Sequence, residues 1–156
     1  MPDLSVKTVF VTPLRRTCET AAILFPNAEQ VIVPGLREMD FGAFENRSFR
    51  EMEHDEDYRA WVESGCLLQC PNGEDMKGFS ERVGAAFLKV LHENADKDEL
   101  YFVVHGGTIM AVCTLFAEEK REYYEWAVKN LEGRTAEVAW DGNGGLHLLH
   151  IEPVRR

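Results

Sequence analysis

The chain has 156 residues, 45% of them apolar, enough for one sizeable core and about the length of an ordinary domain. Its 27 acidic and 17 basic residues leave a formal net charge of -10, which repels polyphosphate backbones and anionic lipid surfaces and argues against nucleic acid and membranes as partners. No apolar run reaches the roughly 18 residues of a spanning helix, because YFVVHGGTIMAVCTLFA is interrupted by His105 and two glycines.

MPDLSVKTVF lacks the basic-then-apolar order of a signal peptide, so a cytoplasmic protein of one domain, residues 1–156, is expected. Cys18, Cys66, Cys70 and Cys113 are too few and too irregular for a disulfide framework. Cys66 and Cys70 with His54 lack a second ligand pair at zinc spacing, so reduced thiols and no metal are expected.

In chain order, VKTVFVTP is rich in β-branched residues and closed by proline, which predicts a buried strand. RRTCETAAILF predicts a short helix stopped by Pro26, and QVIVP a second strand leading into the loop GLREMDFGAFEN. Helical stretches are expected around Phe49 to His54 and Asp55 to Glu63. From Glu74 to Asn94 the apolar positions Met76, Phe79, Val83, Ala86, Phe87, Val90 and Leu91 recur at steps of three and four, one buried helix face.

ELYFVVHGG predicts a continuous strand buried on both faces of a parallel sheet, with TIMAVCTLFAEE rising from it as a helix. RTAEVAW and LHLLHI flank DGNGG, a turn signal for a terminal hairpin. Strands alternating with helices imply an α/β sandwich around a mostly parallel sheet.

In such sheets ligands bind beyond the carboxyl ends of the strands, where the following helices begin. Two predicted strands end there in FVTPLRR and FVVHGG. Cations at a helix start oppose the helix dipole, and an anion bound between the two ends would reverse that term. Arg15 and Arg16 either serve such an anion or pair with Glu19 and other surface acids. His105 is either a strand-end ligand group, opened to approach by Gly106, or a hydrogen-bonded core histidine. Glu38 lies in the loop after the second strand, where a carboxyl group can protonate a leaving oxygen or simply face solvent. PNGED reads as a turn that caps the long helix with acids, the acidic run Glu51 to Asp57 as a solvated face, and His54, His92, His147 and His150 as structural.

Taken in order, these stretches resemble the histidine phosphatase superfamily, in its phosphoglycerate mutase-like branch that includes alpha-ribazole phosphatase. VTPLRRTCETA is similar to the family's Ser-Pro-Leu-x-Arg-Ala-x-x-Thr-Ala segment, LREMDFGAFEN to Leu-x-Glu-x-x-x-Gly-x-Trp-Glu-Gly, PNGED to Pro-Gly-Gly-Glu-Ser, and VVHGGTI to its late Ser-His-Gly-Gly strand end. Four motifs in the family order are far more specific than any one alone. Phe44 stands where tryptophan is usual, Asn46 where glycine is usual and Val104 where serine is usual.

The resemblance implies a phosphomonoester hydrolase without cofactor or metal, acting on a small phosphorylated metabolite through a phosphohistidine. It makes Arg16 a phosphate clamp, Glu38 the proton donor to the leaving oxygen, and His105, with Gly106, part of the phosphate site, while Arg15 falls on a variable position. The family's nucleophile is the histidine of an N-terminal Arg-His-Gly, and this sequence contains no such triplet. A phosphoglycerate mutase-like fold short of its first strand and helix is therefore expected. With it come two alternatives to catalysis: an inactive phosphate-ligand-binding domain, or an interaction domain pairing as a homodimer through an exposed sheet edge.

Overall fold

The computed structural model describes residues 1–154. It is an α/β fold that packs as two compact units, Met1–Glu38 together with the chain from Val83 onward, and Met39–Arg82.

In the first unit, strand β1 (Thr8–Val11) lies between β2 (Glu29–Ile32) and β3 (Phe102–Val103), parallel to both. Val11 is level with Ile32 and Val103, so the three carboxyl ends share one edge of the sheet. Helix α1 (Arg15–Leu24) follows β1, and α5 (Gly106–Phe116) follows β3. Val9, Val11, Ala21 and Phe25 form one buried cluster, because β1 turns these valines and α1 this alanine toward the same side. α5 packs through Cys113 on Ala117 and Trp126, the latter from a 3-10 turn at Tyr123–Trp126.

The strand expected to run through ELYFVVHGG and to be buried on both faces is only two residues long and half-buried, and Gly106 and Gly107 belong to α5. Among the described residues it pairs with β1 alone, and a strand lacking a second neighbour keeps neither its length nor its full burial. The terminal hairpin, β4 (Arg134–Trp140) with β5 (Leu146–Pro153), forms a separate antiparallel sheet. It meets the end of α5 through an Ala117–Leu148 bridge, and β4 is exposed along most of its length.

The long helix α4 (Met76–Glu93) buries Phe79, Val83, Phe87, Val90 and Leu91, as its spacing predicts. Gly84 on it admits Leu115 of α5 so closely that a Cβ would stand 2.9 Å from the leucine Cδ1.

The second unit holds α2 (Phe49–Met52), α3 (Glu56–Glu63) and the turn PNGED. Phe44, in tryptophan's usual place, is buried and meets the rings of Tyr58 and Trp61. Asn46 has φ 56, the left-handed backbone that glycine favours and asparagine tolerates. The two acids of PNGED do different work. Asp75 accepts the Gly78 N–H at 2.7 Å as a cap. Glu74 instead grips Arg82 with both oxygens, at 2.9 and 2.7 Å, and accepts the Asp40 N–H.

Candidate active site

Thr12 to Leu14 link β1 to α1, and Leu14, the N-cap residue, supplies no side-chain cap. The first turn of α1 contains no acid, only Arg15 and Arg16. The arginines diverge: Arg15 turns outward to Glu19 at 2.6 Å, an exposed i,i+4 pair, whereas Arg16 places Nη2 3.3 Å from His105 Nδ1. Arg16 is exposed, so its remaining N–H groups face solvent beside the imidazole.

His105 stands where β3 gives way to α5 and is buried to 6% exposure. Its Nε2 lies 2.8 Å from Thr12 Oγ1. Burial first, and the Arg16 charge second, push its pKa down from 6.5 to about 4, so the ring is uncharged at neutral pH. Gly106 and Gly107 open α5, and their N–H groups belong to the first helical turn, whose amides lack intrahelical acceptors.

Glu38 comes to the same helix start, where its Oε2 accepts the Gly107 N–H at 3.1 Å. The carboxylate occupies the room that Gly107 leaves, since a Cβ there would overlap it in this position. Tyr123 donates its hydroxyl to the Gly107 carbonyl at 3.3 Å, and burial, with the nearby Glu38 charge, raises its pKa well above that of an ordinary tyrosine. Thr108 donates to the Leu36 carbonyl at 2.8 Å, which anchors the loop carrying Glu38 to α5.

Arg16, Glu38, His105 and Gly106 thus gather around two helix starts within the first unit, and Arg15 does not join them. Thr12, Thr17, Gly107 and Tyr123 also belong to this group, and sequence reasoning did not single them out. The hydroxyl of Thr17 one residue after Arg16 was the one available signal, because a threonine in a first helical turn often bonds back to a carbonyl three residues earlier. His147 pairs with Asp141 at 2.9 Å, His92 stacks on Trp140, and His54 is exposed beside Glu53, all away from this group.

The sequence profile of the histidine phosphatase superfamily (branch 1) matches residues 1–149. The chain belongs to that family. It is 32% identical over 105 residues to the adenosylcobalamin/alpha-ribazole phosphatase of Salmonella typhimurium, covering 65% of this chain and 52% of that protein. It is 29% identical over 154 residues to a Hydrogenobacter thermophilus protein whose name places it among phosphoserine phosphatases, covering 94% of this chain and 68% of the other. Among solved structures it superimposes on the alpha-ribazole phosphatase of Shigella flexneri with a TM-score of 0.72 at 25% identity, covering 94% of this chain and 74% of that one. The chain therefore spans only part of the length of these relatives.

Proposed function

We propose that the starts of α1 and α5 together hold the phosphoryl group of a small phosphorylated metabolite, as the binding half of a phosphomonoesterase site. The observation that carries this is the Arg16–His105 contact, which sets an exposed guanidinium beside the start of α5, where the Gly106 N–H has no intrahelical acceptor. A guanidinium fork and helix N–H groups are the donors that match phosphate oxygens. Glu38, on the same helix start, is the group able to pass a proton to a departing alkoxide.

Family chemistry would have an imidazole attack phosphorus while the ester oxygen leaves with that proton, and water would then cleave the phosphohistidine. No metal or cofactor enters these steps. None of the five histidines here lies in an Arg-His-Gly triplet, so these 156 residues are expected to bind phosphomonoesters without turning them over. The relatives' names point to different substrates, which share a phosphoryl group.

The test is p-nitrophenyl phosphate hydrolysis in EDTA together with inorganic phosphate binding by calorimetry. Binding without turnover is expected. Turnover that disappears in His105→Gln would instead make His105 the nucleophile, and absence of binding would remove the phosphate site.

A second reading, pairing of two copies, is favoured by the single-sided pairing of β3 among the described residues. Sedimentation showing a monomer at high concentration would dismiss it.

A further inference from the structure

Four polar side chains are buried among the described residues, and three of them, Thr12, Thr17 and His105, form one hydrogen-bonded line. Buried hydroxyls and imidazoles must find partners, so the direction of every proton in such a line matters. Thr12 Oγ1 lies 2.8 Å from His105 Nε2 and 2.9 Å from Thr17 Oγ1. Thr17 Oγ1 lies 2.8 Å from the Leu14 carbonyl oxygen and 3.0 Å from that of Thr12.

Both ends of the line dictate its direction. Arg16 has only donors, so the His105 Nδ1 it faces must accept, and the neutral ring then carries its proton on Nε2. Nε2–H donates to Thr12, the Thr12 hydroxyl donates to Thr17, and the Thr17 hydroxyl ends the line on a carbonyl, which can only accept. The opposite tautomer would set Nδ1–H against the guanidinium, donor facing donor. It would also turn the Thr12 hydroxyl to Nε2, so that Thr17 could stay in the line only by donating to Thr12 and giving up its carbonyl acceptors.

We propose that Thr17, acting through Thr12, is a positioning residue that holds His105 in its Nε2–H tautomer and so keeps the Nδ1 lone pair directed toward Arg16 and the phosphate site. The role of that lone pair rests on the phosphate reading; the tautomer itself does not. The motif this segment resembles has alanine at the Thr17 position, so the line is a feature of this chain's own residues. Thr17 has no reach to the ligand and acts only through the ring.

The experiment is the two-bond proton–nitrogen correlation spectrum of the histidine rings in 15N-labelled protein without ligand, followed by phosphate titration. In the unaltered chain, the His105 Nε2 is expected at a protonated-nitrogen shift and Nδ1 at an unprotonated one. Thr17→Val should move both toward averaged values and weaken phosphate binding by roughly threefold to tenfold, the range of one hydrogen bond. Thr17→Ser should restore both. An Nδ1–H ring in the unaltered chain overturns the proposal without any variant, as does a Thr17→Val protein with unchanged ring shifts. The predicted ring spectrum with no phosphate binding would uphold the positioning role and overturn the phosphate reading.

Discussion

Arg16 and His105 are 89 residues apart in the chain, yet Nη2 of one stands 3.3 Å from Nδ1 of the other. Two parallel strands ending at one edge of the sheet bring them together, each side chain delivered by the helix start that follows its strand. The neighbouring Arg15, one residue away, points elsewhere. That divergence gives the first prediction. Arg16→Ala should weaken phosphate binding about 10- to 100-fold, the loss of charge-assisted hydrogen bonds, whereas Arg15→Ala should leave it nearly unchanged, since an exposed pair with Glu19 contributes little. Calorimetric titration of both variants checks this.

His105 ties stability to pH. Its folded-state pKa of about 4 lies below the ordinary 6.5, so between those values the unfolded chain binds more protons than the folded one. Stability from the neutral ring is complete above pH 6.5 and is lost as pH falls toward 4, by about 3 kcal/mol in all. Urea melts at half-unit steps across that window should show the slope, and His105→Gln should flatten it.

The same uncharged ring predicts that phosphate arrives with a proton. A singly charged phosphate can donate its P–OH to the Nδ1 lone pair, and a dianion beside the ring favours the imidazolium. Either way binding takes up a proton, so affinity should fall as pH rises above 7. Calorimetry in buffers of different ionisation enthalpy reads the uptake directly.

Two glycines should answer alanine in opposite ways. At Gly107 the added Cβ meets the mobile end of Glu38, so the carboxylate moves aside, and helix propensity offsets part of the lost hydrogen bond. Stability should change by under about 1 kcal/mol. At Gly42, φ is 52 and the Cβ would run into the backbone of Pro71, Asn72 and Gly73, which cannot yield cheaply. Gly42→Ala should cost more than about 2 kcal/mol. Denaturant melts of the two variants separate these outcomes.

Much of this was legible in the residues. Proline after a β-branched run, then small and apolar residues at helical spacing, marked β1 and α1; TIMAVCTLFAEE marked α5, which begins two residues earlier, at Gly106. The motif order identified the family and drew attention to Arg16, Glu38 and His105. What sequence left open was three-dimensional. Local pattern alone did not separate the two arginines, and only the resemblance favoured Arg16; the turn of α1 sends Arg15 to Glu19 and Arg16 to His105. The extent of β3 depends on which strands flank it, a property that its own apolar and aromatic run, Leu100 to Val104, does not encode. Tyr123 reaches Gly107 from a 3-10 turn 16 residues downstream, with no local pattern to announce it. Thr17 looked like an indifferent helix residue because the line it ends, through Thr12 to His105, joins two strand ends.

The central claim is that Arg16, His105 and the start of α5 form one phosphate site, and calorimetric titration of inorganic phosphate into the unaltered chain, Arg16→Ala and His105→Gln tests it most directly. Saturable binding by the unaltered chain that is weakened at least tenfold in both variants is the predicted result. Equal binding by all three proteins, or none by any, would contradict it.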